Sequence, residues 1–227
     1  MFSGILINYY KPLINKMVVG KIKLNDAYSL ESPEDSINLY KKWAKTYDTD
    51  FALNSDYLSP KKISNFFIKY SKNTDTPILD VGAGTGLVGQ YLNIKNKKDI
   101  IGIDISSEML HEAKLKNSYS SLVEADITKK IPLKNNSVGA IISAGTFTHG
   151  HVGPEAFDEL LRIIKPGGLF VLSVNSKFFI KAGFKEKFIK IKNLITPPLF
   201  KKFSAHGKNN NKTYDEVKIF ACIFRKI

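Results

Sequence analysis

The sequence predicts an α/β fold built on a mostly parallel, doubly wound sheet, and three observations favour it. A short apolar segment, Ile78–Val81, runs into a glycine-rich turn, Gly82–Gly86. Two further apolar segments, Asp99–Asp104 and Ser121–Asp126, each end on an acidic residue. A fourth segment, Val138–Ser143, is uniformly apolar, as a parallel strand buried on both faces should be. Helical patterns follow the first two segments, at Leu87–Leu92 and after a cap at Ser106 or Ser107.

The glycine turn predicts a binding loop. Gly82, Gly84 and Gly86 stand at alternate positions, and glycine alone readily takes positive φ angles and lets a ligand approach the backbone. A loose match to the dinucleotide pattern G-x-G-x-x-G is a weak signal. Asp80 favours another ligand, because its carboxylate would repel a pyrophosphate but suits the positive amino and sulfonium groups of S-adenosylmethionine (SAM). A purely structural turn is the alternative.

Acidic residues at the next two strand ends extend this interpretation. Asp104 lies about 20 positions beyond the glycines, where a carboxylate that binds ribose is expected. Asp126 can accept a hydrogen bond from an adenine amino group. Each acid alone would ordinarily be a solvated residue at a strand end. Their repetition at three consecutive strands predicts one ligand-binding rim.

Four motifs taken together identify a family resemblance. They are Leu79–Gly86, Gly102–Ser106, Glu124–Ile127 and the turn Lys165–Gly168 before the fifth strand, Leu169–Asn175. Over roughly residues 36 to 175 the chain resembles the class I SAM-dependent methyltransferases. Two further stretches, Trp43–Asp48 and Gly145–Val152, look like the small stand-alone methyltransferases related to the Williams-Beuren-region methyltransferase, whose substrates are largely unassigned.

The resemblance implies a fold and a cofactor site. The fold is Rossmann-like, with a seven-stranded, mostly parallel sheet, an antiparallel last strand and N-terminal lid helices. SAM is the implied cofactor and S-adenosylhomocysteine the product, with Asp80 and the glycines at the methionine end, Asp104 at the ribose, and Ile105 and Met109 on either side of the adenine. The expected cofactor-binding residues are Asp80, Gly82, Ala83, Gly84, Gly86, Asp104, Ile105, Met109, Ala125, Asp126, Ile127, Ser143 and Ala144.

An aromatic stripe precedes the first strand. Tyr40, Trp43 and Tyr47 follow helical spacing in a helix that Asp35 or Ser36 is expected to cap. Such a stripe is usually a core face. In the resembled methyltransferases this segment lies over the cofactor, so the stripe is alternatively a lid. Tyr47 is then the first candidate for a cation–π contact with the sulfonium.

The segment after the fourth strand, 144–152, is expected on the substrate side, because ligands of open parallel sheets lie beyond the carboxyl ends of the strands. Phe147, Thr148, His149 and His151 are candidates there. Thr148 or His149 is predicted to meet the acceptor, with His149 as general base or substrate anchor. The alternative for His149 is a loop histidine that is hydrogen-bonded to the backbone. The two histidines also suggest a metal, but no third ligand is evident, so no metal site is predicted.

The net charge of +13 comes mostly from lysine and favours anionic partners at low salt. Lysines and phenylalanines alternate from Lys177 to Lys208, where Glu186 is the only acid and Phe178 to Lys192 is predicted as a helix. Nucleic acid is therefore an alternative partner, although solvated lysine faces are favoured. The single cysteine, Cys222, excludes an intramolecular disulfide and is expected to be buried. No apolar run is long enough to span a bilayer.

These observations predict an N-terminal arm at 1–23 and one methyltransferase domain at 24–227. Its expected parts are lid helices at 24–75, a SAM-binding core at 76–176 and a substrate-side part with edge strands at 177–227. The predicted function is methyl transfer to an unidentified small molecule in the cytoplasm. An RNA or protein methyltransferase, a catalytically inactive SAM-binding module and a nicotinamide oxidoreductase are the alternatives, and Asp80 argues against the last.

Overall fold

The computed structural model describes residues 22, 26–27, 29–93, 99–207 and 217–227. The predicted arm at 1–23 lies, apart from Ile22, outside the described residues. The seven strands form one sheet in the order β3-β2-β1-β4-β5-β7-β6. They are β1 Ile78–Val81, β2 Ile100–Asp104, β3 Ser121–Glu124, β4 Val138–Phe147, β5 Ile164–Asn175, β6 Leu199–Ser204 and β7 Lys218–Arg225.

The strand directions confirm the predicted fold class. β1 pairs in parallel with both β2 and β4, and β4 pairs in parallel with β5. β7 is antiparallel to β5, and β6 is antiparallel to β7. The strand order reverses between β1 and β4, so a crevice opens beyond the carboxyl ends of these two strands.

Helices cover both faces of the sheet, and each face has its own apolar core cluster. The helices are α1 Pro33–Thr46, a π-helix Tyr47–Leu53, α2 Ser59–Tyr70, α3 Leu87–Asn93, α4 Ser107–Leu115, a 3-10 turn Pro154–Ala156, α5 Phe157–Ile163, α6 Ser176–Lys181 and α7 Phe184–Lys190. Cys222 is fully buried in β7, as predicted, and burial raises the pKa of its thiol.

Two element boundaries differ from the predictions. Ser32, and not Asp35 or Ser36, caps α1, because Pro33 fits the first helical position and Asp35 completes a capping box with Ser32. The predicted helix from Phe178 to Lys192 is two helices. Gly183, with φ of 81°, ends α6 and begins α7 in a left-handed conformation that a helix interior cannot hold.

Candidate cofactor and acceptor site

One cavity of about 310 Å³ opens at the carboxyl ends of the strands. Its walls come from the lid helices, the glycine loop and the ends of β2 to β7. Most of the predicted site residues line it, namely Tyr47, Gly82, Ala83, Gly84, Asp104, Ile105, Met109, Ala125, Asp126, Ile127, Ala144 and Thr148. Asp80, Gly86, Ser143 and His149 are not among its lining residues.

The glycine loop turns toward the cavity through three positive φ angles, 66° at Gly82, 54° at Gly84 and 88° at Gly86. A Cβ atom added at Gly84 would meet nothing within 4 Å, so the backbone there faces open space. A Cβ at Gly82 would lie 2.0 Å from Thr146 Oγ1 of β4. Gly84 therefore leaves room for a ligand, whereas Gly82 allows the loop to pack on the sheet.

Asp104 connects the glycine loop to the next helix. Its Oδ2 accepts a hydrogen bond of 2.8 Å from the Gly84 backbone N–H, and its Oδ1 accepts one of 3.0 Å from Ser106. Burial raises the pKa of Asp104, and backbone N–H donors, including these two, partly oppose that rise. The carboxylate lines the cavity beside the loop, where a pair of hydroxyls can reach it.

Asp126 lies just beyond β3 on the same rim. Its Oδ1 accepts hydrogen bonds from the backbone and the hydroxyl of Thr128, at 2.9 and 2.6 Å, and Lys129 lies 3.3 Å from Oδ2. Burial alone would raise the pKa of Asp126, but these donors outweigh it and the pKa is lowered. The buried side chains of Met109 and Ile127 give this end of the cavity apolar walls.

Asp80 lies beneath the glycine loop and is fully buried. Its Oδ2 accepts a 2.7 Å hydrogen bond from the Tyr119 hydroxyl, which in turn accepts one from the Gly89 N–H. Its Oδ1 has no hydrogen-bond partner among the described residues. Desolvation raises the pKa of Asp80 to about 7. The hydrogen bond from Tyr119 opposes this rise, and the negative charge of Asp104 adds to it. The side chain thus supports the loop from behind.

The lid is an aromatic cluster. Trp43 lies 5.0 Å from Tyr47 between ring centroids, Tyr47 lies 5.1 Å from Phe51, and Phe51 lies 5.1 Å from Tyr57. All four rings line the cavity, and Trp43 and Phe51 are also buried. The stripe is therefore both a small core of its own and a wall of the cavity.

A polar clasp fastens this lid to the glycine loop. Asp48, on the π-helix, accepts a 2.5 Å hydrogen bond from Thr85 Oγ1 and pairs with Lys116 Nζ at 2.6 Å. Lys116 also donates to the Thr85 carbonyl oxygen. The clasp, formed by Asp48, Thr85 and Lys116, joins the lid, the loop and the end of α4.

The two histidines after β4 face different surroundings. His151 lines the cavity, where its Nε2 lies 2.7 Å from the Tyr40 hydroxyl and its Nδ1 lies 2.9 Å from the His149 carbonyl oxygen. His149 instead packs its ring on Phe178. Burial lowers the pKa of both, and the nearby Lys181 and Lys177 lower that of His149 further. Among the described residues, no group of three or more acidic, histidine or cysteine side chains is placed to hold a metal.

The far wall of the cavity comes from the last strands. His206, just beyond β6, is buried, and its Nδ1 lies 3.0 Å from Ser55 Oγ. Burial lowers the pKa of His206 to about 4, so the ring is neutral. Asn175 and Ser173 of β5 complete this wall. No sequence signal marked His206 or Tyr119, because both act through contacts between residues far apart in the chain.

Comparison with known proteins agrees with this geometry. Residues 79–172, which hold the glycine loop and the β2 and β3 carboxylates, match the family model described as a methyltransferase domain. This part of the chain is similar to a methyltransferase domain. No helix among the described residues has the length and apolar character needed to cross a membrane.

Proteins similar to the chain include methyltransferase-like protein 27 of Homo sapiens, 26% identical over 69% of the chain, and malonyl-[acyl-carrier protein] O-methyltransferase 2 of Ilyobacter polytropus, 34% identical over 61%. The chain spans 64% and 52% of the lengths of these relatives. A SAM-dependent methyltransferase from Aquifex aeolicus has the same fold, with a TM-score of 0.55 at 19% identity over 82% of this chain and 98% of that one.

The residues that line the cavity fit SAM on three counts. The backbone at Gly84 leaves open space, and the carboxylates of Asp104 and Asp126 line the cavity where hydroxyl and amino donors are expected. Trp43 and Thr148 also line it, and Trp43 Nε1 and Thr148 Oγ1 are buried with no hydrogen-bond partner among the described residues. Buried polar atoms without partners cost free energy, which a ligand that supplies partners would recover.

Proposed function

We propose that the protein is an active methyltransferase that transfers the methyl group of SAM to a small molecule and releases S-adenosylhomocysteine. The observation that supports this proposal is that the open glycine loop, two carboxylates and an aromatic lid line the same cavity. When bound, SAM supplies an activated methyl group on a sulfonium. The protein then has to align the acceptor for in-line displacement and exclude water.

Each wall has a proposed part in binding. The backbone of the glycine loop would hold the methionine end, Asp104 the ribose hydroxyls, and Asp126 the adenine amino group, with Ile105 and Met109 beside the ring. Tyr47 would present its ring face to the sulfonium, since cations are attracted to aromatic faces. The cavity of about 310 Å³ lies within the size range of small-molecule sites.

For an acceptor that must lose a proton, we propose the pair Tyr40–His151 rather than the predicted His149. The carbonyl oxygen of His149 can only accept, so Nδ1 of His151 carries the hydrogen and Nε2 accepts from the Tyr40 hydroxyl. Burial keeps this imidazole neutral at cellular pH. A proton leaving the acceptor can pass to the Tyr40 oxygen while the Tyr40 proton moves to His151 Nε2. Thr148 Oγ1 is the proposed acceptor contact.

Narrower assignments are also proposals. The stretches Trp43–Asp48 and Gly145–Val152 both contribute residues to the cavity wall, which supports membership of the group related to the Williams-Beuren-region methyltransferase. The division into lid, SAM-binding core and C-terminal part is also proposed, and it is supported by the contribution of each part to the cavity wall. A cytoplasmic location stays a prediction.

The test has two arms. Isothermal titration calorimetry should detect SAM and S-adenosylhomocysteine binding and no NAD binding, and a labelled methyl donor should mark a product in a metabolite extract. Binding without any labelled product, in small-molecule, RNA and protein fractions alike, would indicate a SAM-binding module. Binding of NAD in place of SAM would contradict the cofactor assignment.

A further inference from the structure

The surface formed by residues 176–204 combines positive charge with exposed apolar side chains. This C-terminal basic face carries eight lysines and one acid, Glu186. Three of the large apolar residues exposed in the described part of the chain also belong to the part of it that precedes β6, namely Ile180 at 79% exposure, Ile189 at 58% and Leu194 at 54%. Phe200 at 41% and Leu199 at 38% are exposed on opposite sides of β6. Concentrated exposure of this kind marks an interaction surface.

Five of the six phenylalanines of the face are buried or half-buried, and Phe200 alone of the six is exposed. Phe184 and Phe188 are buried, and Phe178 and Phe179 are half-buried. They pack on one another, with the rings of Phe179 and Phe184 stacked at 5.6 Å between centroids. Base stacking on single-stranded nucleic acid needs accessible rings. The alternation of lysine and phenylalanine therefore serves the core, and what remains outside is mostly aliphatic.

Aliphatic side chains beside lysines suit a lipid surface. On α6, the exposed Ile180 has Lys177 and Lys181 on the same outer side, and on α7 Ile189 is next to the exposed Lys190. Isoleucine gains by entering the acyl boundary of a bilayer, while lysine is attracted to anionic headgroups. Isoleucine has no ring to stack on a base.

We propose that the C-terminal basic face docks the protein peripherally on an anionic membrane surface. The face borders the cavity, since α6 begins directly after Asn175 and β6 ends beside Ala205 and His206, all of which line it. Docking would place the cavity close to the lipid headgroups. The inference stands on surface chemistry and does not depend on methyl transfer.

The test is sedimentation of the full chain with vesicles of phosphatidylcholine alone or mixed with phosphatidylserine. We expect binding only to the anionic vesicles. The double variants Ile180→Ser with Ile189→Ser, and Lys181→Gln with Lys190→Gln, should each weaken it roughly tenfold. The matched controls Leu115→Ser and Lys114→Gln, exposed on α4, should bind like the wild type.

Three outcomes would overturn the proposal. One is no sedimentation with anionic vesicles at low salt, with or without a shift of labelled RNA on gels. Another is binding that the lysine variants lose and the isoleucine variants keep, which indicates general electrostatic attraction. The third is an equal loss in the α4 controls. Circular dichroism melts of every variant separate these outcomes from misfolding.

Discussion

Asp104 and Asp80 end neighbouring strands of the sheet, but their surroundings give them different properties. Asp104 receives backbone N–H donors on both oxygens and lines the cavity. Asp80 has one hydroxyl donor, and one of its oxygens has no partner among the described residues. The first carboxylate is held in place for a ligand, whereas the second is a buried acid whose pKa of about 7 allows it to hold a proton.

Replacing Asp104 by asparagine should weaken SAM binding by roughly 10- to 100-fold, because hydrogen bonds to a charged group are worth about 1.5–3 kcal/mol. Isothermal titration calorimetry measures this directly. The matched control is Asp99→Asn, an exposed carboxylate just before the other end of β2, which should leave the affinity unchanged. Equal affinity in both variants would remove Asp104 from the site.

The buried Asp80 predicts a pH dependence of stability in the ligand-free protein. Its pKa rises from 3.8 to about 7 on folding, so the folded protein binds this proton more tightly than the unfolded chain. That contribution to stability is fully present below pH 4 and is lost as the pH rises through about 7. Urea unfolding at pH 5 and pH 8 should show a smaller loss in Asp80→Asn than in the wild type. An identical loss would mean that Asp80 is not the group responsible.

At the scale of the element, the π-helix between α1 and α2 determines the shape of the lid. The π-helix Tyr47–Leu53 continues α1 with a wider turn, a geometry that is frequent at functional sites. It presents Tyr47 and Phe51 to the cavity and Asp48 to the glycine loop. One short element therefore supplies both the aromatic wall and the clasp that holds it down.

Breaking the clasp should loosen the lid without removing a ligand contact, since Lys116 does not line the cavity. We expect Lys116→Met to weaken SAM binding about fivefold, for a partly buried pair worth about 1 kcal/mol. Hydrogen–deuterium exchange should rise across 47–53. Lys114→Met, at an exposed position of the same helix, is the control and should do neither. Faster exchange confined to α4 itself would point to local fraying instead.

The elements that the sequence predicted correctly are those whose pattern is formed by neighbouring residues. The glycine loop and the carboxylates at the ends of β2 and β3 were identified because glycine spacing and apolar runs are properties of neighbouring residues. The π-helix was missed since its pattern continues that of α1, and the extension of β4 to Phe147 was missed because it contains a bulge after Ser143. His149 was preferred to His151, because the sequence of a turn does not indicate which of two alternate residues faces the cavity.

At the scale of the whole molecule, long-range pairing decides the rest. Apolar patterning predicted a mostly parallel sheet, and its order places the cavity where β1 and β4 diverge. The far wall depends on β6 and β7, which return beside β5 and bring His206 to Ser55, 151 positions away in the chain. No pattern within either segment predicts the contact between His206 and Ser55.

Arg225 of β7 makes polar contacts at the end of the sheet opposite the cavity. Its guanidinium pairs with Asp75 through two hydrogen bonds of 2.8 and 3.0 Å and also donates to the carbonyl oxygens of Tyr70 and Gly167. Asp75 is only 2% exposed. These contacts join the last strand to the end of α2 and to the approach to β1, away from the cavity. These charged groups and the carboxylates proposed to bind the cofactor therefore lie at opposite ends of the same sheet.

This separation predicts that Arg225→Met lowers stability and spares the site. Removing one partner of a buried pair leaves the other charge uncompensated, so the loss should be about 3–5 kcal/mol. Each kcal/mol lowers the melting temperature of a domain this size by roughly 2–4 °C. Calorimetric melts measure that shift, and SAM titration well below the transition should give the wild-type affinity. Lys41→Met, which breaks the exposed pair with Glu108, should barely move the melt. Weaker SAM binding by the folded Arg225→Met protein would show that the two ends are coupled through the sheet.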